Sequence, residues 1–260
     1  MTLLRLTLGG VPRSSRFSPG HPVLRIQHAT LHSSQQCWFG IARMDFEMAR
    51  FNMIKQQIRP WEVLDAGVLE LLRQIPREAF VSEAQRGLAF ADLNLPIGHD
   101  EAMWQPKIEA RILQALAPKA RDHVLEVGTG SGYLTALLAS CSEHVTSVEI
   151  HSDFIGLATE RLQTQNISNV RLVEGDGARG WPSSKPWDIV VLTGSVPNLP
   201  SAYRDILAPG GRLAAIVGRE PVMEAMLYVR QDEGAWSSRS LFDTVLRPLV
   251  NAEPPAAFVF

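Results

Sequence analysis

The pattern of apolar and polar positions is most regular between residues 124 and 218. Residues 124–139, VLEVGTGSGYLTALLA, begin as an apolar β-branched run, meet three closely spaced glycines and continue with the apolar spacing of a helix. This change of period predicts a strand, a tight turn and a helix. The same criteria predict further strands at 145–150, 170–174, 187–193 and 212–218, helices at 133–140, 153–166 and 201–209, and a turn at Pro209-Gly210-Gly211.

Strands that alternate with helices predict an α/β fold with a Rossmann-like, doubly wound and mostly parallel sheet. The run WDIVVLT at 187–193 is almost entirely apolar, which is typical of a strand covered on both faces. We therefore expect residues 118–260 to form the core of this fold, with the strand at 187–193 near its buried centre.

The residues before this core have the spacing of amphipathic helices. Apolar positions recur at helical intervals from Met44 onward until Pro60 ends the pattern. Asp65 is the expected N-cap of a second helix, and a third is predicted at 107–117. Residues 44–117 are therefore predicted to form a helical cap and lid over the core.

Residues 1–43 differ in charge from the rest of the chain. They contain five arginines and no Asp or Glu, so they carry +5 against −7 for the remainder. Their Ser, Pro and His content and the lack of a sustained period predict a basic, disordered leader. A transit peptide and a basic arm that contacts nucleic acid stay open as alternatives to a dispensable leader upstream of Met44, as does whether the segment is translated.

Composition narrows the class of protein. The chain has 260 residues, of which 45% are hydrophobic and 20% charged, and a net charge of −2, which fits a soluble enzyme. No apolar run is long enough to cross a membrane. Two cysteines, Cys37 and Cys141, favour a reducing, cytoplasmic location, and the histidines lack the spacing of metal ligands. We therefore expect no metal, no membrane partner and, because the folded part is acidic, no nucleic-acid partner; the oligomeric state stays open.

Three glycines at alternate positions follow the first strand of the core. Gly128, Gly130 and Gly132 can adopt positive φ and let a ligand approach the backbone without a Cβ in the way. A dinucleotide fingerprint, G-x-G-x-x-G, would need its third glycine where Tyr133 stands. The observed G-x-G-x-G, preceded by Glu126, resembles motif I of class I S-adenosylmethionine-dependent methyltransferases. The resemblance implies a cofactor site that includes Glu126, Gly128, Thr129, Gly130 and Gly132.

Two acidic residues follow the next two predicted strands. Glu149 ends the strand at 145–150, roughly 20 residues after the glycines, where a doubly wound domain places an acid that accepts the ribose hydroxyls. Asp176 lies after the strand at 170–174 and precedes Gly177, and an acid in that loop suits the exocyclic amine of adenine. The expected cofactor site therefore extends to Glu149, Asp176 and Gly177.

Five motifs occur along the chain in one order: IPREAFV at 75–81, LPIG at 95–98, QP at 105–106, LEVGTGSGY at 125–133 and GDG at 175–177. This order resembles the protein-L-isoaspartate O-methyltransferase family over most of residues 45–250. The resemblance implies a methyltransferase domain at 44–260 that uses S-adenosylmethionine to methylate the α-carboxylate of isoaspartyl residues in damaged proteins or peptides. The ester then collapses to a succinimide, which reopens partly to aspartate, so the implied activity is protein repair.

The chain departs from this family after LPIG. The family has T-x-S-x-P there, with hydroxyls that flank the substrate carboxylate, whereas this chain reads Ala102-Met103-Trp104-Gln105-Pro106. Trp104 keeps one hydrogen-bond donor, the indole N–H. The preceding residues are His99, Asp100 and Glu101, and two acids beside an anionic acceptor would repel it.

This departure leaves two interpretations of the acceptor site. Either Trp104 packs in the lid while the acids face solvent, or the acceptor pocket has been rebuilt. Ser195 follows the strand at 187–193 and is a candidate replacement hydroxyl, because ligands bind at the carboxyl ends of strands in open α/β sheets. No catalytic residue is assigned. The alternatives to isoaspartyl transfer are a methyltransferase with a neutral or cationic acceptor and a non-catalytic S-adenosylmethionine-binding protein in which Trp104 fills the acceptor site.

Overall fold

The computed structural model describes residues 44–231 and 234–253, so the predicted leader at 1–43 lies outside it. Helix α1, Phe46–Met53, begins at Asp45, whose carboxylate accepts the Met48 N–H at 3.0 Å. It continues without a break through a wider turn and a tight turn that together cover residues 54–61. The helical run therefore passes the proline that was expected to end it, because proline is tolerated in the first turn of a new helical segment.

The two other cap helices agree with the sequence. Helix α2, Ala66–Gln74, has Asp65 as its N-cap, and this carboxylate accepts the Val68 N–H at 2.9 Å. Helix α3, Pro106–Leu116, starts with a proline in its first turn, where no N–H partner is needed. Both predictions are confirmed to within one or two residues at each end.

A short hairpin lies between α2 and α3 in the chain and was not predicted. Strand β1, Leu95–Gly98, pairs antiparallel with β2, Glu101–Met103. The two residues that connect them, His99 and Asp100, both have positive φ, at 49° and 60°. This is the geometry of a two-residue hairpin turn whose twist matches that of the strands.

The core is a seven-stranded sheet in the order β5-β4-β3-β6-β7-β8-β9. Its strands are β3 His123–Val127, β4 His144–Glu149, β5 Val170–Glu174, β6 Trp187–Val196, β7 Leu207–Arg219, β8 Val222–Arg230 and β9 Trp236–Asp243. The first five run parallel, and β8 is antiparallel to both of its neighbours. The predicted α/β class with a mostly parallel, doubly wound sheet is confirmed.

Both faces of this sheet are covered. Val124 and Val191 belong to the apolar cluster shared with the cap helices, whereas Leu125 and Val190 belong to a second cluster on the other face. Burial on two faces explains why these strands read as continuous apolar runs. Within the described residues, no helix has the length and apolar character needed to cross a membrane.

Three helices connect the parallel strands: α4 Tyr133–Ala139, α5 Ser152–Thr164 and α6 Ala202–Asp205. The prediction at 201–209 was wrong in length, because α6 has four residues and β7 already starts at Leu207. The predicted Pro209-Gly210-Gly211 turn lies inside β7. Gly210 has a φ of 75°, and the pairing with β6 shifts register between Trp187 and Ile189, so the strand absorbs these residues as an irregularity.

A candidate cofactor and acceptor cleft

A cleft opens at the carboxyl ends of β3, β4 and β6, with an empty volume of about 780 Å³ including the part that meets solvent. The chain passes from β3 to β4 on one side and later returns to place β6 on the other side. Such a reversal of strand order leaves a crevice, which is where open α/β sheets bind ligands. The expected cofactor residues Glu126, Gly128, Thr129, Gly130, Glu149, Asp176 and Gly177 all line this cleft.

Two glycines of the turn are required for different reasons. Gly128 has a φ of 99°, and a Cβ there would collide with the hydroxyl of Thr193. That hydroxyl is fixed because it lies within hydrogen-bonding distance of the carbonyls of Val127, at 2.8 Å, and Gly128, at 2.6 Å. Gly130 has a φ of 50°, and a Cβ would lie 3.1 Å from the Ile97 side chain, across the cleft. Gly128 therefore serves packing, whereas Gly130 keeps the cleft open.

Gly132 lies behind the turn and not in the cleft. It has a φ of 84°, and a Cβ would lie 3.1 Å from Ala158 on helix α5. The position therefore allows close packing of the turn against α5 and gives no contact to a ligand in the cleft.

Glu149 ends β4 with its carboxylate in the cleft and is 4% exposed. One oxygen accepts the Gly130 N–H at 2.8 Å, and the other accepts the His151 N–H at 3.0 Å. These bonds fix the carboxylate beside the glycine turn. Each carboxylate oxygen has a second lone pair, so the group can still accept hydroxyl donors from a ligand.

Glu126 lies at the base of the cleft and has no exposed surface. Its Oε2 accepts the hydroxyls of Thr135 at 2.5 Å and Ser147 at 2.6 Å, and Ser147 is linked to Thr129 at 2.6 Å. Its Oε1 is buried without a hydrogen-bond partner among the described residues. Burial raises the pKa of Glu126 to about 8, so the carboxyl is protonated at neutral pH until a cation lies beside it.

Asp176 and Gly177 border the far end of the cleft. The Asp176 carboxylate accepts the Ala178 N–H at 2.9 Å and the Asn251 side-chain amide at 2.9 Å. A Cβ on Gly177 would lie 2.7 Å from Val127. The turn thus brings its backbone close to β3 and leaves part of the Asp176 carboxylate available to a donor.

The acceptor end of the cleft, defined by Glu101, Ala102 and Trp104, is built on β2. Trp104 is 7% exposed, and its carbonyl accepts a hydrogen bond from Arg77. Arg77 is fully buried and forms an ion pair with Glu109 on α3. Burial raises the pKa of Glu109 to about 7 against the opposing effect of the Arg77 charge. The motif IPREAFV therefore contributes an arginine that holds the acceptor end in place.

The two acids of the hairpin have different surroundings. Asp100 is exposed at the turn, whereas Glu101 is half-buried and lines the cleft. Burial raises the pKa of Glu101, the charge of His151 lowers it less, and Glu149 raises it further. The expectation that both acids face solvent is therefore correct for Asp100 only.

The hairpin tip is attached to helix α5. His99 stacks on His151 with ring centroids 4.1 Å apart, and its Nε2 lies 2.9 Å from the Asp153 carboxylate. The hydrogen bond from His99 lowers the pKa of Asp153. These contacts place β1 and β2 beside the residues that follow Glu149, and no sequence pattern predicted them.

Ser195 does not lie in the cleft, which corrects the sequence-based hypothesis of an acceptor hydroxyl. It is 1% exposed, and its hydroxyl donates to the Leu246 carbonyl at 3.0 Å. Its N–H donates to the Arg247 carbonyl at 2.8 Å, and its own carbonyl accepts the Leu249 N–H at 2.9 Å. Ser195 therefore anchors the segment 246–249 against β6, and its donor is already used.

Two further observations concern the remaining candidate chemistry. In the part of the chain that the structure describes, no group of three or more His, Cys, Asp or Glu side chains is arranged to hold a metal ion. Burial raises the pKa of the Cys141 thiol to about 12, so this thiol is a poor nucleophile at neutral pH.

The cleft fits S-adenosylmethionine on grounds visible in the fold. Glu126 offers a buried oxygen without a partner, and Glu149 offers a carboxylate that is fixed beside the glycine turn. The cofactor carries two positive charges, a sulfonium and an ammonium, and acidic side chains stabilise both. The same acids would oppose a pyrophosphate, which agrees with the absence of a dinucleotide fingerprint.

Comparisons with known proteins agree with this cleft. The family model described as protein-L-isoaspartate(D-aspartate) O-methyltransferase matches residues 48–254. Protein-L-isoaspartate O-methyltransferase 2 of Pelobacter propionicus is 39% identical over 208 residues, which cover 80% of this chain and 92% of the relative. Protein-L-isoaspartate O-methyltransferase 1 of Rhodopseudomonas palustris is 42% identical over 209 residues, covering 80% and 85%.

A solved structure with the same fold comes from Plasmodium falciparum. It is described as a protein-L-isoaspartate O-methyltransferase in complex with S-adenosyl-L-homocysteine. The superposition has a TM-score of 0.66 at 20% sequence identity and covers 80% of this chain and 99% of that one. At this identity the likeness supports the fold, and the relatives in sequence carry the family assignment.

Proposed function

The chain belongs to the protein-L-isoaspartate O-methyltransferase family, and from that premise we propose how its cleft transfers a methyl group to an isoaspartyl carboxylate. Its cofactor is S-adenosylmethionine, and it is an enzyme of protein repair. The observation that carries the proposal is the continuity of one cleft from Asp176, through Glu149 and the glycine turn, to Glu101 and Trp104.

Each part of the cleft has a proposed role in holding the cofactor. Glu149 accepts the ribose hydroxyls, and Asp176 with the Gly177 backbone recognises adenine. Glu126 meets the amino group with its unpartnered oxygen, and Gly130 leaves room for the ligand beside the backbone. When bound, S-adenosylmethionine supplies a methyl group on a positively charged sulfonium, which is a good leaving group.

The protein side of the reaction needs orientation more than acid–base catalysis. A carboxylic acid with an ordinary pKa of about 4 is already ionised at neutral pH, so no general base has to remove its proton. Trp104 and Met103 present buried apolar surface at the acceptor end, which excludes water from the nucleophile. Arg77 fixes the backbone of Trp104, so the wall that faces the acceptor is rigid.

We propose isoaspartyl-containing proteins and peptides as the acceptors, in a reducing, cytoplasmic compartment. The test incubates the full chain with methyl-labelled cofactor and an isoaspartyl peptide, with the aspartyl peptide of the same sequence as the matched control. We expect label in the isoaspartyl peptide only, released as methanol by mild base because the product is an ester. Equal labelling of both peptides would contradict recognition of the isoaspartyl linkage.

One observation favours a second candidate, in which the acceptor is neutral or cationic. Among the described residues that line the cleft there are five acids and no Lys or Arg, and the family hydroxyls are replaced by Ala102 and Trp104. Labelling of small amines or alcohols, but not of the isoaspartyl peptide, would select this candidate. Cofactor binding with no labelling of any acceptor would select a non-catalytic binding protein in which Trp104 fills the acceptor site.

A further inference from the structure

We propose that Arg247 binds the carboxylate of the isoaspartyl residue and so replaces the hydroxyls that this chain lacks at Ala102 and Trp104. The inference rests on the proposed function and names the residue that determines specificity at the same cleft. Four features of the described residues support it: the charge of the cleft, the anchoring of the segment 246–249, the free guanidinium, and the position of Arg247 just before residues that line the cleft.

The charge of the cleft creates the need for a cation. Glu109 is paired with Arg77, burial raises the pKa of Glu126, and Glu149 faces the cofactor end. Glu101 remains at the acceptor end, where its carboxyl meets the incoming substrate. An anionic acceptor therefore approaches a site with no positive side chain in its lining, and a cation at the rim would offset this repulsion.

Arg247 is held at that rim by its backbone. Its carbonyl accepts the Ser195 N–H at 2.8 Å, and its neighbour Leu246 accepts the Ser195 hydroxyl at 3.0 Å. Two residues further along, Leu249 lines the cleft and donates its N–H to the Ser195 carbonyl at 2.9 Å. Ser195, which the sequence suggested as a hydroxyl donor, therefore fixes the position of the Arg247 backbone.

The side chain of Arg247 has no other use in the described part of the chain. The residue is exposed, and its guanidinium makes no hydrogen bond or ion pair with any described residue. It lines a second groove together with Ser195 and Pro248, and the sequence neighbours of these two residues, Gly194 and Leu249, line the cleft. Arg219 lines this groove too but is paired with Glu253 through two contacts, at 3.0 and 2.9 Å.

Arg247 lies two residues before Leu249 and three before Val250, and both of these residues line the cleft. The charge of Arg247 lowers the pKa of Glu101, although burial has the larger, raising effect. A guanidinium presents a planar fork of N–H donors that matches a carboxylate, which a hydroxyl cannot do. We expect the substrate carboxylate to lie beside Arg247, because Glu101 leaves the guanidinium donors without an acceptor.

The reaction predicts which kinetic constant responds. The acceptor carboxylate loses its negative charge as its oxygen forms the bond to the methyl group and the sulfonium leaves as a neutral sulfide. An ionic contact to the carboxylate is therefore stronger before the reaction than at the transition state. Removal of Arg247 should raise KM for the isoaspartyl peptide and should not lower kcat.

The experiment compares wild type, Arg247→Ala, Arg247→Lys and the control Arg219→Ala with one isoaspartyl peptide. We expect KM to rise about 10- to 100-fold in Arg247→Ala, the scale of a lost charge-assisted hydrogen bond, with partial recovery in Arg247→Lys. Arg219→Ala removes the same charge from the same groove and should change KM less than about 3-fold. Affinity for S-adenosylhomocysteine should be equal in all four proteins, which also verifies that each is folded.

Three results would overturn the proposed role of Arg247, and a fourth would contradict the proposed function instead. An unchanged KM in Arg247→Ala, an equal rise in Arg219→Ala, or a loss of kcat with KM unchanged would each remove Arg247 from carboxylate binding. Absence of isoaspartyl turnover in the wild type, with S-adenosylhomocysteine bound normally, would instead contradict the proposed function. In that case, binding of the peptide to the S-adenosylhomocysteine complex of wild type and Arg247→Ala is measured by calorimetry, and equal affinity would reject the role of Arg247 independently.

Discussion

The buried guanidinium of Arg77 donates a hydrogen bond to the carbonyl of Trp104, which links the segment before the hairpin to the wall of the acceptor end. The same side chain donates to the Ala89 carbonyl at 2.8 Å and pairs with Glu109. One arginine therefore joins the cap, helix α3 and the acceptor end. This explains physically why an arginine is embedded in this motif.

Arg77→Met should destabilise the fold by about 3–5 kcal/mol, because Glu109 would remain buried without its partner. Urea unfolding at neutral pH measures the loss. The control is Arg73→Ala, which removes an exposed ion pair with Glu70 and should cost less than about 1 kcal/mol. A free energy of unfolding in Arg77→Met within about 1 kcal/mol of wild type would show that the buried pair contributes no such stability.

In protein without cofactor, the ionisation of Glu126 should lower the free energy of unfolding as the pH rises. Its folded pKa, about 8, is higher than the ordinary value of 4.5, so the stabilising effect is complete below pH 4.5 and is lost as the pH rises towards 8. The limiting slope for one group is about 1.4 kcal/mol per pH unit. Burial raises the pKa of Glu109 to about 7, so its ionisation also lowers the free energy of unfolding as the pH rises towards 7.

Glu126→Gln keeps the size of the side chain and removes its titration, so its free energy of unfolding should fall less steeply between pH 5 and 7 than that of wild type, by about the slope of one group. Chemical denaturation at several pH values, without cofactor, measures both slopes. Parallel curves for the two proteins would contradict the raised pKa of Glu126.

Glu149→Ala should weaken the binding of S-adenosylhomocysteine by about 1.5–3 kcal/mol, because the ribose hydroxyls would lose a charged acceptor and Gly130 would lose its hydrogen bond. Titration calorimetry measures the change. Glu174 is the matched control, since it pairs with Glu149 in register on the next strand and is exposed. Wild-type affinity in Glu149→Ala would place the ribose elsewhere in the cleft.

The double substitution Ala102→Thr, Trp104→Ser should raise kcat/KM for an isoaspartyl peptide about 10-fold or more, because both hydroxyls would donate to the acceptor carboxylate and a hydrogen bond to a charged group is worth about 1.5–3 kcal/mol. Removal of the buried indole can cost about 3–5 kcal/mol, so circular dichroism and cofactor affinity are measured on the same sample. Ala102→Thr alone keeps Trp104 and serves as the control for folding. A folded double variant that binds cofactor and shows no gain would favour the neutral or cationic acceptor.

The sequence predicted the parallel part of the sheet well and the antiparallel part poorly. Strands β3 and β6 are covered on both faces, so their apolar runs are almost continuous and easy to recognise. Strand β9 is a polar run that no apolar period identifies. The positions of β8 and β9 in the sheet depend on antiparallel pairing, β8 with β7 and β9 with β8, which the pattern within one strand does not contain.

The residues expected at the cofactor end line one cleft because they lie at or just after the carboxyl ends of strands at the same edge of the sheet. The sequence did not predict the contacts at the acceptor end, because they join distant segments. Ser195 directly follows the cleft-lining Gly194, but its hydroxyl donates to the carbonyl of Leu246. Arg77 lies in the motif IPREAFV, yet its hydrogen bond to the distant Trp104 carbonyl has no local signal in the sequence.

The most direct test of the account is the conversion of an isoaspartyl peptide to its aspartyl form. The peptide is incubated with the full chain and S-adenosylmethionine, and the two forms are separated by chromatography over several rounds of methylation and succinimide opening. We predict that the aspartyl form accumulates only when cofactor and active protein are both present, and that Glu149→Ala at the same cofactor concentration forms much less. A peptide that stays isoaspartyl while the protein binds S-adenosylhomocysteine normally would contradict the claim that this cleft methylates isoaspartyl carboxylates.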